Sequence, residues 1–277
     1  MSKSAGLSGL RARREELLAS AAAPHPGHVV IVCAEKGGSG KTTSVELLSI
    51  TLDDMGADHV VVECETSQRL ERRIGGKVRH HRLQADDAKS LAAEPDALNL
   101  YWDRALAMSG QGISVWDLAA NSLELMLRWA VASSARAALA DGARVTFALV
   151  MTSDAEAMGH THSSIRQIRY ALPMAEIWVI LNEHEGAIDL GHRGVAAVLE
   201  GVARDRILTL PNCRAPRFST LKNVAGFVQA VNIDVDALVQ HHGIPPLQAG
   251  RAVEGLADWL LAACEVFAPL AERLASR

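Results

Sequence analysis

The sequence predicts an α/β chain: a doubly wound, mostly parallel sheet flanked by helices, with a helical C-terminal extension. Three observations lead there. Apolar runs at His28–Ala34, His59–Glu63, Gly112–Asp117, Arg144–Met151, Ile177–Asn182 and Arg206–Leu210 are rich in Val and Ile and continuous rather than alternating. Strands of that kind are buried on both faces, as in a parallel sheet with helices above and below it. Longer stretches with helical spacing, such as Thr42–Met55, Ser122–Ala140 and Ser153–Leu172, lie between the runs, which is the rhythm of strand–helix–strand crossovers. Finally, the first run passes directly into a glycine-rich turn and then a helix.

Taken in order, residues 7–22 have helical spacing and are stopped by Pro24 and Pro26, so residues 1–27 form an N-terminal helix and linker. Residues 28–277 form a single domain, motif-bearing to about residue 230 and helical over 231–277. Beyond Pro211 the chain is mainly helical, with a break at Gly243-Ile-Pro-Pro246 and a last amphipathic helix over Arg251–Arg277 that Pro269 can kink. A chain of 277 residues, 49% hydrophobic, supports a sizeable core. Its 21 Gly and 9 Pro are too few for a low-complexity chain. The net charge of −4 gives no overall basic field, so any nucleic-acid site must be a local patch. Cys33, Cys64, Cys213 and Cys264 form no CxxC pair, which argues against a zinc ribbon or a locally ligated iron–sulfur cluster. No signal-peptide order and no apolar run of membrane-spanning length is present. The expectation is a reduced, cytoplasmic protein.

The sharpest motif is Gly37-Gly38-Ser39-Gly40-Lys41-Thr42-Thr43, between the strand VVIVCA and a helix. A glycine-rich turn lets successive backbone N–H groups converge on phosphate oxygens, and the helix adds its positive N-terminal end. In such a loop Lys41 bridges the β- and γ-phosphates of ATP, Thr42 places its hydroxyl on Mg²⁺, and Thr43 reaches the α-phosphate. Scanned as GxxxxGK[ST], the first glycine is replaced by Glu35, and Lys36 is added at the loop's start.

The variant Lys36-Gly37-Gly38-Ser39-Gly40-Lys41-Thr42-Thr43 resembles the deviant Walker A motif of the ParA/MinD family of P-loop ATPases at every defined position. The resemblance covers roughly residues 28–230. It implies that Lys36 is the signature lysine reaching across an ATP-sandwich homodimer to the partner's phosphates. By the same resemblance Glu63-Cys64-Glu65 stands where relatives carry Asp-x-Asp in switch I, with Glu65 placing the attacking water. Asp117, at the end of GISVWD, takes the Walker B position and holds Mg²⁺ through water, the lesser alternative being a helix N-cap. Leu118-Ala119-Ala120-Asn121 replaces the usual Pro/Gly-rich switch II. Asn182 either contacts the adenine edge or simply closes its strand, and Pro211 either lies near the base or forms a turn.

The family further implies a partner that reads the nucleotide state. The last helix carries only Arg273 and Arg277 against Asp258, Glu265 and Glu272, so it suits packing on the domain better than an anionic membrane. Two basic patches are candidates for non-specific DNA: Arg72, Arg73, Lys77, Arg79 and Arg82 beside switch I, and Arg214, Arg217 and Lys222 after the base-proximal loop. Either patch could also be a solvated loop. The sequence therefore points to a slow, partner-stimulated ParA-like ATPase, nucleoid-associated when ATP-bound, that positions plasmid or other DNA cargo through a centromere-binding or adaptor protein. Two rivals share the loop: an accessory ATPase of conjugative transfer or plasmid stability, and a small-molecule ATP-dependent enzyme of the same superfamily.

Overall fold

The computed structural model describes residues 27–82, 94–132, 144–224 and 226–276. Its strands are β1 (His28–Cys33), β2 (His59–Cys64), β3 (Val78–His80), β4 (Ile113–Leu118), β5 (Arg144–Met151), β6 (Glu176–Asn182) and β7 (Ile207–Leu210). They form one sheet in the order β3-β2-β4-β1-β5-β6-β7, and every recorded pairing is parallel. β1 is central, between β4 and β5. The chain leaves β1 toward one half of the sheet and later fills the other, so the end of β1 lies at the switch point where ligands of open α/β sheets bind.

Side chains alternate across β1. Val29, Ile31 and Cys33 join one buried core, with α3 (Pro95–Met108), α4 (Leu123–Ala132), α5 (Ala155–Ala171) and α6 (Arg193–Leu199). Val30 and Val32 join the other, with α1 (Lys41–Asp54), α7 (Phe218–Val224), α8 (Phe227–Val231), α9 (Val235–His242) and α10 (Pro246–Ala275). Continuous apolar strands are what burial on both faces demands. The first core is built around Trp102, Trp116 and Trp129, the second around Phe218, Phe227 and Trp259.

All six expected strands are present, with ends shifted by at most a residue. β3 was not expected: Val78-Arg79-His80 is a short, charged edge strand, and charge is how sheet edges avoid further pairing. Between them, Glu71–Ile74 forms a single helical turn, α2. The expected N-terminal helix, and the part of Ser122–Ala140 beyond Ala132, lie outside the described residues. α10 begins at Pro246 rather than Arg251, because proline suits a first helical turn whose N–H groups have no partner in the helix, and it continues unbroken past Pro269. Its buried residues include Ala252, Leu256, Trp259, Ala263, Phe267 and Leu270. It therefore packs on the sheet's helical layer, and Arg273 grips Glu176 of β6. No helix among the described residues is long and apolar enough to cross a membrane.

His28 opens β1, buried, with its Nε2 3.0 Å from Thr146 Oγ1. Burial lowers its imidazole to about 4. The unfolded chain thus takes up this proton near pH 6.5 and the folded chain only near 4. The stability it contributes is complete above pH 6.5 and lost as pH falls toward 4. Melting curves should show wild type losing roughly 2–3 kcal/mol more than His28→Gln between pH 7 and pH 4. Parallel curves for the two proteins would refute this.

Candidate active site

The loop between β1 and α1 builds the site. Gly38 and Gly40 have φ of 80° and 100°, values that favour glycine. At Gly40 space is also lacking, since a Cβ there would stand 2.2 Å from Asn182 Nδ2. α1 starts on Gly40 with no side-chain cap and no acid in its first turn. Its leading amides and the positive helix end are therefore left for an anion. Lys41 is buried at 6% exposure, and Ser39 Oγ is buried without a hydrogen-bond partner.

Beside the loop, Thr42 Oγ1 donates to Asp117 Oδ2 at 2.9 Å, from the first turn of α1 to the end of β4. Asp117 is fully buried, and its other oxygen, Oδ1, has no partner. Burial pushes its carboxyl up to about 7 against the Thr42 hydrogen bond, and nearby Glu65 adds to the rise. An orphaned buried carboxylate oxygen next to a loop hydroxyl is the donor set expected for Mg²⁺ carried in with a phosphate. These residues fit Mg²⁺ and ATP. Among the described residues no cluster of three or more His, Cys, Asp or Glu could hold a metal by itself. Asp117 caps no helix: α4 begins at Leu123, after a turn through Ser122.

Lys36 pairs with Asp154 at 3.1 Å. Asp154 is the N-cap of α5 and accepts from Ala157 N. The Lys36 ammonium is held above its usual range by that hydrogen bond, with Glu185 and Glu156 adding to the field. The sequence did not reveal this partner. Thr152-Ser153-Asp154 before an apolar-periodic stretch signals a helix start, but nothing in it points to Lys36.

At the end of β2 the two acids part company. Glu63 is buried; its Oε1 accepts from Arg69 N (2.8 Å) and Leu70 N (3.0 Å), and its Oε2 lies 3.2 Å from His80 Nδ1. It ties the end of the loop to β3. Glu65, half-buried just past β2, sits close enough to Asp117 to raise its proton affinity. Switch II is also tied: Asn121, at φ 63°, can donate to the Glu35 carbonyl and carboxylate at 3.2 Å each. Glu35, in the position of the missing glycine, thus bridges the phosphate loop and switch II, and burial raises its carboxyl.

Two residues expected near the base are engaged within the fold. Asn182 does not stand open at the end of β6; its Nδ2 donates to Ser39 O at 2.8 Å and its Oδ1 accepts from His184 N at 3.3 Å. The Pro211 carbonyl accepts from Trp259 Nε1 at 2.8 Å, pinning the turn after β7 to α10.

The residues of the basic patches fall into two settings. Arg73 is half-buried against Glu46 of α1 (3.1 Å), whose other oxygen accepts from Phe227 N. Lys77 pairs with Asp53, and Arg79 donates to the Met108 carbonyl. These three hold the sheet edge to its neighbours. Arg72, Arg82, Arg214 and Arg217 are exposed, whereas the Lys222 side chain lies outside the described residues. Gly226 packs so tightly on the Arg73 carbonyl that a Cβ there would stand 2.1 Å from it.

No family model matches the chain, nor does any curated protein. Solved structures do, and ParA, MinD and McdA ATPases are among them. A ParA family ATPase from Chlorobium tepidum TLS is 12% identical, covering 86% of this chain and 98% of that one, with a TM-score of 0.47. The septum site-determining protein MinD from Pyrococcus horikoshii OT3, complexed with Mg-ADP, is 17% identical over 84% and 95%, at 0.45. A Cyanothece McdA–ATP complex is 12% identical over 86% and 97%, also at 0.47. These are likenesses of backbone path.

Proposed function

We propose that this chain is a ParA-like ATPase, one that forms an ATP-sandwich homodimer, binds DNA without sequence preference, and positions a plasmid or other DNA cargo through an adaptor. The observation that carries the proposal is the pairing of a two-lysine phosphate loop, Lys36 to Thr43, with the buried, half-partnered Asp117 that Thr42 contacts. When bound, Mg-ATP supplies the phosphoryl group that water attacks. The chain supplies the amides of Gly37 to Gly40, the Lys41 charge, the Thr42 and Asp117 oxygens, and Glu65 to orient the water. Lys36 acts on the partner's nucleotide, which makes the active form a dimer.

DNA retention tests the proposal. Only the ATP-bound form should bind duplex DNA, equally on unrelated sequences. Replacing Arg72, Arg82, Arg214 and Arg217 by Ala should weaken binding on all of them and flatten the log–log salt slope by about 0.9 for each phosphate no longer neutralised. Arg73→Ala should act differently, lowering the melting temperature, since it leaves the buried Glu46 carboxylate without its cation, whereas Lys77→Ala breaks an exposed pair and should change stability little. An ATP-bound dimer with no DNA affinity would end the positioning role and favour a small-molecule enzyme.

A further inference from the structure

We infer that Asn182 is a positioning residue of the phosphate loop, fixing the Ser39–Gly40 peptide, rather than a reader of the nucleotide base. The inference rests on the proposal that this loop binds ATP.

Asn182 is 4% exposed at the end of β6, separated from β1 by β5. Its Nδ2 donates to the Ser39 carbonyl at 2.8 Å, and its Oδ1 accepts from His184 N at 3.3 Å. The amide is therefore oriented at both ends and cannot rotate without breaking a buried hydrogen bond. It also lies directly against Gly40, where an added Cβ would meet Nδ2 at 2.2 Å.

A phosphate cradle works only if its amides face the anion and its carbonyls face away. In a planar trans peptide the C=O and the following N–H point in opposite directions. Holding the Ser39 carbonyl on Asn182 thus directs the Gly40 N–H to the side away from Asn182. Ser39 and Gly40 are followed at once by Lys41 and Thr42, so a twist at this peptide would displace both. Gly40, at φ 100°, has the conformational freedom to let the peptide flip, and the Asn182 hydrogen bond removes that freedom. A residue that reads the base would affect which nucleotide binds. One that shapes the loop affects every ligand with a triphosphate, base or no base.

The test compares ATP, GTP and inorganic tripolyphosphate, each with Mg²⁺, on wild type, Asn182→Ala and Asn182→Leu, by calorimetry. Leucine matches asparagine in size and lacks the donor, so it carries the test if the alanine variant does not fold. Expected is an equal loss, about tenfold or more, for all three ligands, with the ATP-to-GTP ratio unchanged. In the ligand-free protein, the Gly40 amide resonance should shift in both variants. Loss of ATP affinity with tripolyphosphate binding intact would make Asn182 a base reader and overturn the inference. Unchanged binding of all three would overturn it as well. If wild type binds neither ATP nor tripolyphosphate, the ATP proposal fails by itself; the Gly40 resonance then decides the clamp, an unmoved signal refuting it.

Discussion

Lys41→Ala should abolish measurable ATP binding, a loss of at least 100-fold, whereas Lys36→Ala should bind ATP within a few-fold of wild type yet fail to dimerise. Lys41 is buried at the start of α1, inside the loop it would neutralise. Removing it leaves a desolvated phosphate without its cation, and buried charges are costly when unpaired. Lys36 instead pairs with Asp154. In the proposed sandwich dimer its catalytic contact is made in trans, like an arginine finger, for which the loss is on the order of 10³ or more in rate. The pairing also predicts a gain. Asp154→Asn keeps an N-cap for α5 but removes the charge that holds Lys36, so the variant should dimerise at lower ATP concentration. Sedimentation with a non-hydrolysable analogue distinguishes the three proteins. A dimer that survives Lys36→Ala removes the sandwich model, and an Asp154→Asn protein identical to wild type would show that the ion pair restrains nothing.

The parts legible in the sequence are those written locally. Val and Ile runs marked six of the strands, and the loop's glycines and lysines marked its chemistry, because each depends on neighbours a few residues away. What could not be read depends on contacts between distant segments. Arg73 and Lys77 looked like free cations until α1 supplied Glu46 and Asp53. β3 reads as solvated loop because an edge strand of three residues needs only one partner, β2, and bears charge by design. Asn182 reads as a strand end or a base contact, and its hold on Ser39 spans 143 residues, about half the chain. Long-range polar contacts of this kind have no periodicity to betray them.

Glu65→Ala should slow hydrolysis about 100-fold while ATP binding stays within a few-fold, and the structure strengthens the case for Glu65 over Glu63. Both oxygens of Glu63 are engaged: two backbone amides hold one and His80 the other. A buried carboxylate held in this way is poorly placed to turn a water toward a phosphate. Its removal should instead lower stability by about 2 kcal/mol or more, through the buried amides it would abandon. Glu65 has no such ties among the described residues and lies near Asp117. A water-orienting oxygen must sit within about 2.6–3.2 Å of the water it aligns. Glutamate extends that oxygen roughly 1 Å beyond where aspartate would place it, and an error of that size can cost on the order of 100-fold. Low basal turnover is therefore expected. Glu65→Asp then separates two designs by single-turnover rate. A faster variant means the extra methylene is a brake, keeping the ATP-bound dimer long-lived until an adaptor acts. A slower variant means the strand end has withdrawn to suit glutamate. If Glu65→Ala leaves both basal and adaptor-stimulated rates unchanged, the water is held by another group, and Glu65 serves only to raise the proton affinity of Asp117.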